Sequence, residues 1–326
     1  MKTHNFTTSY YNLLSHPPPP CPPPSPRPNV WFIAGASSGF GKHLALEALR
    51  RGDSVIAASR RTTGLTDLAA RGAILLDLDV TSSDETIRSA FARGESALLG
   101  SASKVHRITH FVNAAGYILE GPIEAASQKE VFDSFNVNVL GIMNMTKNEV
   151  AWLRKRGQTQ RGRAGRAVIA NFGSLGSWRG GPAFAYYAAA KWAVSGFTES
   201  LAAEVKELGI DACVVEPGYF RTGFLHPGGG HRVTMRDPLD AEYAGTQVEH
   251  LRGLLEQVND QQPGDVVKGC KVIVDVLTRS GAAQGKAVPV RLPLGQDCVD
   301  VIEDKMAETK ALIDDWRVLI TTTDHE

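Results

Sequence analysis

Short apolar runs rich in β-forming residues alternate with longer stretches of helical periodicity along most of this chain. The runs predict strands at residues 30–34, 54–59, 73–78, 110–113, 167–172, 211–216 and 286–291. The longer stretches predict helices at residues 42–51, 128–154, 184–208, 264–278 and 298–320. Strands that alternate with helices form parallel sheets covered on both faces. We therefore expect an α/β fold with one doubly wound parallel sheet of about seven strands and helices on both faces.

Two regions depart from this alternation. Residues 1–28 include nine of the 17 prolines, so they predict a disordered tail; a polyproline ligand for a partner domain is the alternative. Residues 29–326 are predicted to form a single domain that ends in an amphipathic helix at 298–320. Within this domain, residues 223–263 contain glycines and histidines but no obvious strand, so we expect a mobile substrate loop over the functional site.

The composition excludes several classes of protein. The 326 residues include 35 basic and 35 acidic ones, and the basic run at 154–166 has no interleaved aromatic residues, so nucleic acid is not an expected partner. The four cysteines are scattered, without the spacing of a metal site or a disulfide framework. No apolar run is long enough to span a membrane, and the chain starts without the apolar core of a signal peptide. We therefore expect a cytoplasmic protein that binds a small molecule.

The first predicted strand runs directly into a glycine-rich turn, Gly35-Ala-Ser-Ser-Gly-Phe-Gly41, and a predicted helix follows. Glycines permit a tight turn and a close approach to a pyrophosphate, and the start of the helix supplies free N–H groups and a positive dipole. This context favours dinucleotide binding in a Rossmann-type fold over an incidental turn. The cofactor-binding residues predicted here are Gly35, Ser37, Ser38, Gly39, Phe40 and Gly41.

The end of the second predicted strand indicates which dinucleotide is bound. Ser59, Arg60 and Arg61 stand where an NAD-binding fold has a carboxylate for the ribose 2′-hydroxyl. A guanidinium matches a 2′-phosphate in shape and charge, so Ser59 and Arg60 predict NADP(H) over NAD(H); the alternative is a solvated basic turn. After the third strand, Asp79 either receives the adenine amino group or caps the next helix.

Further polar residues follow the later strands. Asn113 ends the fourth strand and is followed by Ala-Ala-Gly116, where the backbone can approach a cofactor closely. Asn138 lies inside a predicted helix beside Gly141, which indicates either a role in the site or a satisfied interior amide. The sixth strand leads into the segment Pro217–Thr222. Doubly wound folds bind their ligands at the carboxyl ends of the strands, where these segments are expected.

Tyr187 and Lys191 are four residues apart, so on a helix their side chains lie on the same face, one turn from each other. A tyrosine that transfers protons near neutral pH needs its pKa lowered by roughly three units, which requires about 4 kcal/mol of preferential stabilisation of the phenolate. One partly solvated lysine supplies less than that. We therefore expect a second positive charge near the phenol.

Together these motifs resemble the short-chain dehydrogenase/reductase family from Asn29 to about Leu225. The motifs of the family correspond to Gly35, Gly39 and Gly41, to Asn113–Gly116, to Asn138, to Ser174 with Tyr187 and Lys191, and to Pro217–Thr222. The resemblance selects Tyr187 over Tyr186, which lacks a lysine four residues on, and Ser174, thirteen residues before Tyr187, over Ser177. Ala34, Ala114 and Gly173 depart from residues common in the family, but no catalytic role is vacated. The segment Arg291–Gly295 and the helix after it are similar to fungal and bacterial reductases of this family.

The resemblance implies an NADP(H)-dependent oxidoreductase that transfers hydride between the cofactor and a ketone, aldehyde or secondary alcohol. It implies that Tyr187 is the acid or base, that Ser174 hydrogen-bonds the carbonyl oxygen, and that Lys191 binds the ribose. A cationic nicotinamide then provides the second positive charge. Asn138 is implied to hold a water beside Lys191, and Thr222 to orient the carboxamide. No metal is implied, and homodimers or homotetramers are typical of the family.

The substrate is less determined than the chemistry. Five aromatic residues are predicted to form the wall of a pocket for a bulky apolar ketone: Trp178, Phe184, Tyr219, Phe220 and Phe224. One alternative function is a non-catalytic dinucleotide sensor whose proline-rich tail docks a partner. Another is an epimerase or dehydratase that uses transient hydride transfer.

Overall fold

The computed structural model describes residues 28–99, 107–157, 167–226, 230–235 and 241–325. The strands are β1 (Val30–Ala34), β2 (Ser54–Ser59), β3 (Ile74–Asp77), β4 (His110–Asn113), β5 (Ile118–Glu120), β6 (Ala167–Phe172), β7 (Ile210–Pro217), β8 (Arg232–Thr234) and β9 (Arg291–Leu294). The helices are α1 (Gly39–Arg50), α2 (Thr66–Ala70), α3 (Asp84–Leu99), α4 (Gln128–Phe135), α5 (Ile142–Gly157), α6 (Ala185–Val205), α7 (Gln247–Val258), α8 (Val266–Thr278) and α9 (Gln296–Ile320). Residues 1–27 of the predicted tail and residues 158–166 of the basic run lie outside the described ranges.

Seven strands form one parallel sheet in the order β3-β2-β1-β4-β6-β7-β9. Strands β2 and β3 follow in order on one side of β1. The chain then crosses over, so that β4 pairs with the other side of β1. The strand order reverses between β1 and β4, and ligands bind beyond the carboxyl ends of the strands at such a point. The expected doubly wound α/β fold is confirmed.

Side chains alternate across the sheet and divide the core into two layers. In β1, Trp31 and Ile33 pack in the layer that contains residues of α1 and α8. Phe32 and Ala34 pack in the opposite layer, against residues of α3, α5 and α6. Every residue of β1 is buried, which is typical of a central parallel strand covered on both faces. The rigid strand ends therefore provide a fixed frame for the loops that follow them.

The predicted last strand and the predicted long helix differ from the structure. The last strand is Arg291–Leu294 instead of residues 286–291, and it contains Pro293, which an edge strand tolerates because one side of it forms no ladder hydrogen bonds. The helix predicted at 128–154 is interrupted by a π-helical turn, Asn136–Gly141, between α4 and α5. Such turns occur frequently at functional sites, and this one contains Asn138.

Residues 223–263, which we call the covering segment, contain a strand that the sequence pattern did not predict. Strand β8 pairs in parallel with β5, with Ile118 opposite Arg232. The carboxylate of Glu120 is fully buried and forms ion pairs with Arg232 and with Arg252 of α7, the latter at 2.9 Å. The described part of the covering segment is therefore attached to β5 by backbone pairing and by a shared carboxylate. In these described parts of the chain, no helix combines the length and apolar character needed to cross a membrane.

Candidate active site

A cavity of about 470 Å³ lies beyond the carboxyl ends of β1, β2, β6 and β7. Its wall combines the glycine turn, the loop after β6, the start of α6, the segment after β7 and the covering segment. Twelve predicted site residues line it: Gly35, Ser37, Ser38, Gly39, Phe40, Ser59, Arg60, Asp79, Ser174, Tyr187, Lys191 and Thr222. The predicted residues Gly41, Asn113 and Asn138 do not line this cavity.

Tyr187 and Lys191 lie on the first two turns of α6. The Nζ atom of Lys191 is 5.7 Å from the centroid of the Tyr187 ring, within the range of a cation–π contact, and donates a hydrogen bond of 2.8 Å to the backbone oxygen of Phe172. The loop after β6 is fixed to the same helix, because the Ser177 hydroxyl donates to the backbone oxygen of Lys191 at 3.0 Å. Ser174, predicted as the polarising group, lies beside Tyr187: a Cβ atom on Gly176 would be 3.6 Å from both Ser174 Oγ and the Tyr187 ring.

Burial shifts both titrating groups of α6 toward their neutral forms. It raises the pKa of Tyr187 to about 12, against a smaller lowering by the hydrogen bond with Ser174. It lowers the pKa of Lys191 to about 8. Lys191 is 4% exposed, whereas Tyr187 stays partly accessible through the cavity. In the protein alone, burial therefore keeps the pKa of the phenol above its ordinary value despite the nearby lysine.

The glycine turn, our candidate cradle for a pyrophosphate, is packed too tightly for a side chain at two of its glycines. A Cβ atom on Gly35, whose φ is 86°, would lie 2.5 Å from the backbone nitrogen of Ala115, and one on Gly41 would lie 2.2 Å from the backbone oxygen of Gly35. Helix α1 begins at Gly39 with no acidic residue in its first turn, and the Ser38 side chain does not cap it. The first N–H groups of α1 are therefore not capped by the Ser38 side chain. They point to the place where a phosphate of a dinucleotide would bind.

The basic turn after β2 is open to solvent. Arg60 is exposed and forms no ion pair with any carboxylate in the described ranges, while the Ser59 hydroxyl donates to the backbone oxygen of Arg61 at 2.7 Å. Asp79 accepts hydrogen bonds from the backbone nitrogen and the hydroxyl of Thr81, at 2.9 and 2.7 Å. Since α3 begins only at Asp84, Asp79 stabilises its own turn and does not cap that helix.

The two predicted asparagines, Asn113 and Asn138, form hydrogen bonds next to the cavity without lining it. The Nδ2 atom of Asn113 donates to Asn171 at 2.9 Å and to Glu149 at 3.1 Å, inside the protein. Asn138 exchanges two hydrogen bonds with the backbone of Tyr117, at 3.1 and 3.0 Å, and also donates to Ser134. The contacts of Asn138 match those of a satisfied interior amide, and they fix the loop that follows β4.

A buried carboxylate beneath the site was missed by sequence reasoning. Glu216 of β7 is fully buried and accepts hydrogen bonds from Ser195 at 2.7 Å, Trp178 at 2.9 Å and Arg291 at 2.5 Å. The Arg291 guanidinium also lies 3.8 Å from the centroid of the Trp178 ring. Trp178 therefore packs in this cluster and does not line the cavity, so its prediction as a wall residue was wrong. The other four predicted aromatic residues do line it: Phe184, Tyr219, Phe220 and Phe224.

The covering segment reaches the glycine turn through a residue that the sequence did not single out for the site. The Nε2 atom of His231 lies 2.9 Å from the Ser38 hydroxyl, and the imidazole stacks on Phe224 with ring centroids 5.9 Å apart. His231 also lines the cavity. His231 thus connects the covering segment to the glycine turn, where a pyrophosphate would bind.

The doubly wound sheet thus brings the glycine turn at its switch point together with Ser174, Tyr187 and Lys191 around one cavity. The family model described as short chain dehydrogenase matches residues 29–229. The chain therefore belongs to the short-chain dehydrogenase family.

Individual relatives agree with this membership. "Oxidoreductase BOA17" of Botryotinia fuckeliana is 31% identical over 89% of this chain and 97% of that protein. A "3-ketodihydrosphingosine reductase" of Bacteroides thetaiotaomicron is 34% identical over 61% of this chain and 66% of that protein. The crystal structure of a short-chain dehydrogenase from Streptomyces avermitilis is similar with a TM-score of 0.75, at 31% identity, over 91% of this chain and 100% of that chain. The protein is thus an enzyme of alcohol and carbonyl chemistry that uses a nicotinamide dinucleotide, which counts against the non-catalytic sensor.

Proposed function

We propose that this enzyme is an NADP(H)-dependent carbonyl reductase or alcohol dehydrogenase in which Tyr187 is the acid–base group. The observation that carries the proposal is the convergence of Tyr187, Ser174 and Lys191 on one cavity that the glycine turn also lines. Ser174 and Tyr187 lie next to each other in the wall of this cavity, so one substrate oxygen can accept a hydrogen bond from both hydroxyls.

The residues of the cradle suit a dinucleotide. Gly35 and Gly39 with the start of α1 would hold its pyrophosphate, while Gly41 packs behind the turn against the backbone of Gly35. Lys191 would hold its ribose and Thr222 its carboxamide. When bound, a nicotinamide dinucleotide accepts or donates the hydride and, in its oxidised form, carries a positive charge. A positive charge beside Tyr187 favours the phenolate and opposes the rise in pKa that burial causes.

In ketone reduction, Ser174 hydrogen-bonds the substrate oxygen as negative charge develops there, and Tyr187 donates the proton to it. Lys191 has a fixed position because Phe172 accepts its hydrogen bond, so its charge stays aimed at the Tyr187 ring. In alcohol oxidation, Tyr187 takes the proton back. We propose Asn138 as a positioning residue that fixes the loop after β4 near Lys191, since a Cβ atom on Gly116 would lie 2.6 Å from Asn138 Oδ1 and 3.6 Å from Lys191 Nζ.

The choice of NADP(H) over NAD(H) rests on the turn after β2. Arg60 lines the cavity, is exposed, and has no carboxylate partner in the described part of the chain, so its guanidinium is available to a 2′-phosphate. Ser59 borders the same part of the cavity, and Asp79 still offers its Oδ2 atom to an adenine amino group.

The wall of the cavity favours a bulky apolar ketone or the corresponding secondary alcohol. Ile118, Leu225 and Leu255 are buried and form one cluster with Phe184, Tyr187 and Phe224. A decisive experiment is a cofactor-consumption screen with NADPH and with NADH over cyclic and long-chain ketones, aldehydes and alcohols. We expect turnover of bulky ketones with NADPH; no turnover of any of these compounds with either cofactor would refute the proposal.

We also propose that residues 29–326 form one domain of a cytoplasmic homodimer or homotetramer, with the proline-rich tail dispensable for activity. Self-association is typical of the resembled family, and the three described cysteines are buried and unpaired, in agreement with a reducing compartment. Light scattering after size exclusion tests the association, and imaging of a fluorescent fusion tests the compartment. Activity after deletion of residues 1–28 tests the tail.

A further inference from the structure

Gln262, near the end of the covering segment, has an unpaired amide inside the cavity. The residue is 2% exposed and lines the cavity, yet neither its Oε1 nor its Nε2 atom has a hydrogen-bond partner in the described structure. Buried polar side chains nearly always have such partners, and leaving both ends of an amide unpaired is unfavourable. A ligand that fills the cavity is a direct source of the missing partners.

The backbone around Gln262 fixes where the amide lies. Its carbonyl oxygen accepts a hydrogen bond from Nη2 of Arg221 at 3.3 Å. Two residues later, Gly264 pairs with the segment after β7: its nitrogen donates to Tyr219 at 3.0 Å and its oxygen accepts from Arg221 at 2.9 Å. Gln262 is therefore attached to the segment that contains Thr222, and its amide has a defined place in the wall.

The helix that precedes Gln262 contributes apolar residues to the same cavity. Gln262 follows α7, whose residues Leu251 and Leu255 line the cavity, and Leu255 packs in the cluster that includes Tyr187. In a cavity with such residues in its wall, an amide contributes little to the binding of an apolar ring, but it strongly affects the orientation in which the ring binds. An unpaired donor and acceptor in a hydrophobic pocket therefore indicate recognition of a polar substituent.

We propose that the Gln262 amide binds a hydroxyl group of the substrate, at a position remote from the carbonyl that Ser174 and Tyr187 hold. A hydroxyl pairs with both ends of the amide, because its oxygen accepts from Nε2 and its hydrogen donates to Oε1. The substrate class is thus a bulky apolar ketone, or the corresponding secondary alcohol, that has a second, non-reacting hydroxyl. This inference rests on the proposed function, since it assumes that the reacting carbonyl lies at Tyr187.

The test compares matched ketones and matched variants. The probes are 2-decalone and a series of 2-decalones that carry one hydroxyl at successive ring positions. Gln262→Met removes the donor and the acceptor of the amide and keeps a side chain of similar length. Gln261→Met is the control, because Gln261 is the neighbouring residue and is exposed. Dissociation constants are measured by calorimetry on the NADP⁺-loaded protein, and kcat/KM is measured with NADPH.

We expect the wild type to bind at least one hydroxydecalone about tenfold or more tightly than 2-decalone, since a site built for a hydroxyl discriminates against the analogue that lacks it. Gln262→Met should abolish this preference and leave the affinity for NADP⁺ unchanged, while Gln261→Met keeps both. If Gln262→Met does not fold, Gln262→Asn withdraws the amide by one methylene and should weaken the same preference.

Two results would overturn the inference: no hydroxyl preference in the wild type, or a preference that survives in Gln262→Met. The second result can occur together with a tenfold loss of NADP⁺ affinity in Gln262→Met. That combination would assign the amide to the cofactor carboxamide. The binding measurement also separates this inference from the proposed function. If the hydroxyl preference depends on Gln262 but no ketone is turned over, only the proposed reaction is refuted. If ketones are turned over but no hydroxyl preference is found, only the proposed role of Gln262 is refuted.

Discussion

The Nζ atom of Lys191 lies 2.8 Å from the backbone oxygen of Phe172. Phe172 is the last residue of β6 and Lys191 is on the second turn of α6, so this hydrogen bond joins the helix to the strand end where the Ser174 loop begins. Lys191 is 4% exposed, and this hydrogen bond fixes the position of its amine relative to Tyr187. Substitutions at Tyr187 therefore test its hydroxyl without releasing the helix on which it lies.

Replacing Tyr187 with phenylalanine should lower kcat for ketone reduction about 10²- to 10⁴-fold, because the group that donates the proton is lost. Steady-state kinetics with NADPH and the best ketone of the screen measure the effect. Tyr186→Phe is the matched control: the Tyr186 hydroxyl donates to the backbone oxygen of Ile123, on the exposed side, and its loss should leave kcat nearly unchanged. Activity of Tyr187→Phe above a tenth of wild type would contradict the assignment.

Replacing Arg60 with alanine should raise KM for NADPH about 10- to 100-fold, since hydrogen bonds to charged groups contribute about 1.5–3 kcal/mol. KM for NADH should stay within about twofold, because NADH has no 2′-phosphate for the guanidinium to bind. Arg61→Ala, at the exposed neighbouring position, is the control. Equal loss with both cofactors, or no loss with either, would show that the turn is only solvated.

From the environment of Glu149, we expect an unusual dependence of the free energy of unfolding on pH. The residue is fully buried, and burial raises the pKa of its carboxyl to about 8 from a usual 4.5, against a lowering by the hydrogen bond from Asn113. Below pH 4.5 the carboxyl is protonated in both the folded and the unfolded state. Between pH 4.5 and about 8 only the unfolded state ionises, so the free energy of unfolding falls as the pH rises, by about 5 kcal/mol at most.

Glu149→Gln should remove this dependence. The new amide stays neutral and can donate to the Oδ1 atom of Asn113, which has no partner among the described residues. Urea unfolding at pH 5 and pH 8 should show a stability gain that is larger at pH 8. Glu85→Gln, on the exposed face of α3, should show no such difference. An equal effect of Glu149→Gln at both pH values would mean that the carboxyl is ionised when folded.

Replacing Glu120 with glutamine should loosen the covering segment. The variant leaves Arg232 and Arg252 without the buried carboxylate that they share. We expect about a tenfold rise in the KM for ketones, a smaller change in kcat, and faster proteolysis within residues 223–263, because the buried Arg232 then keeps only its long contact with Glu256, which favours local opening. Glu256 also pairs with Arg232, at 3.9 Å, but is mostly exposed, so Glu256→Gln should change little.

Much of the fold could be predicted from local pattern. The bounds of β1, β2, β4 and β6 match the predicted strands, since buried parallel strands are continuous apolar runs that need no knowledge of their neighbours. The short strands β5 and β8 were not predicted. Each has only three residues, and they pair across a separation of more than a hundred residues, so neither has a periodicity that a sequence window can detect.

The sequence by itself determined the family motifs, because glycine spacing at a turn and a tyrosine and lysine four residues apart are local relationships that a single strand and helix impose. Only the tertiary structure decided what surrounds them. Trp178, Glu216 and Arg291 are far apart in the chain, and their meeting beneath the site follows from the order of β6, β7 and β9 in the sheet. The unpaired amide of Gln262 is likewise a property of packing, since burial and hydrogen bonding are defined only once distant segments are in contact.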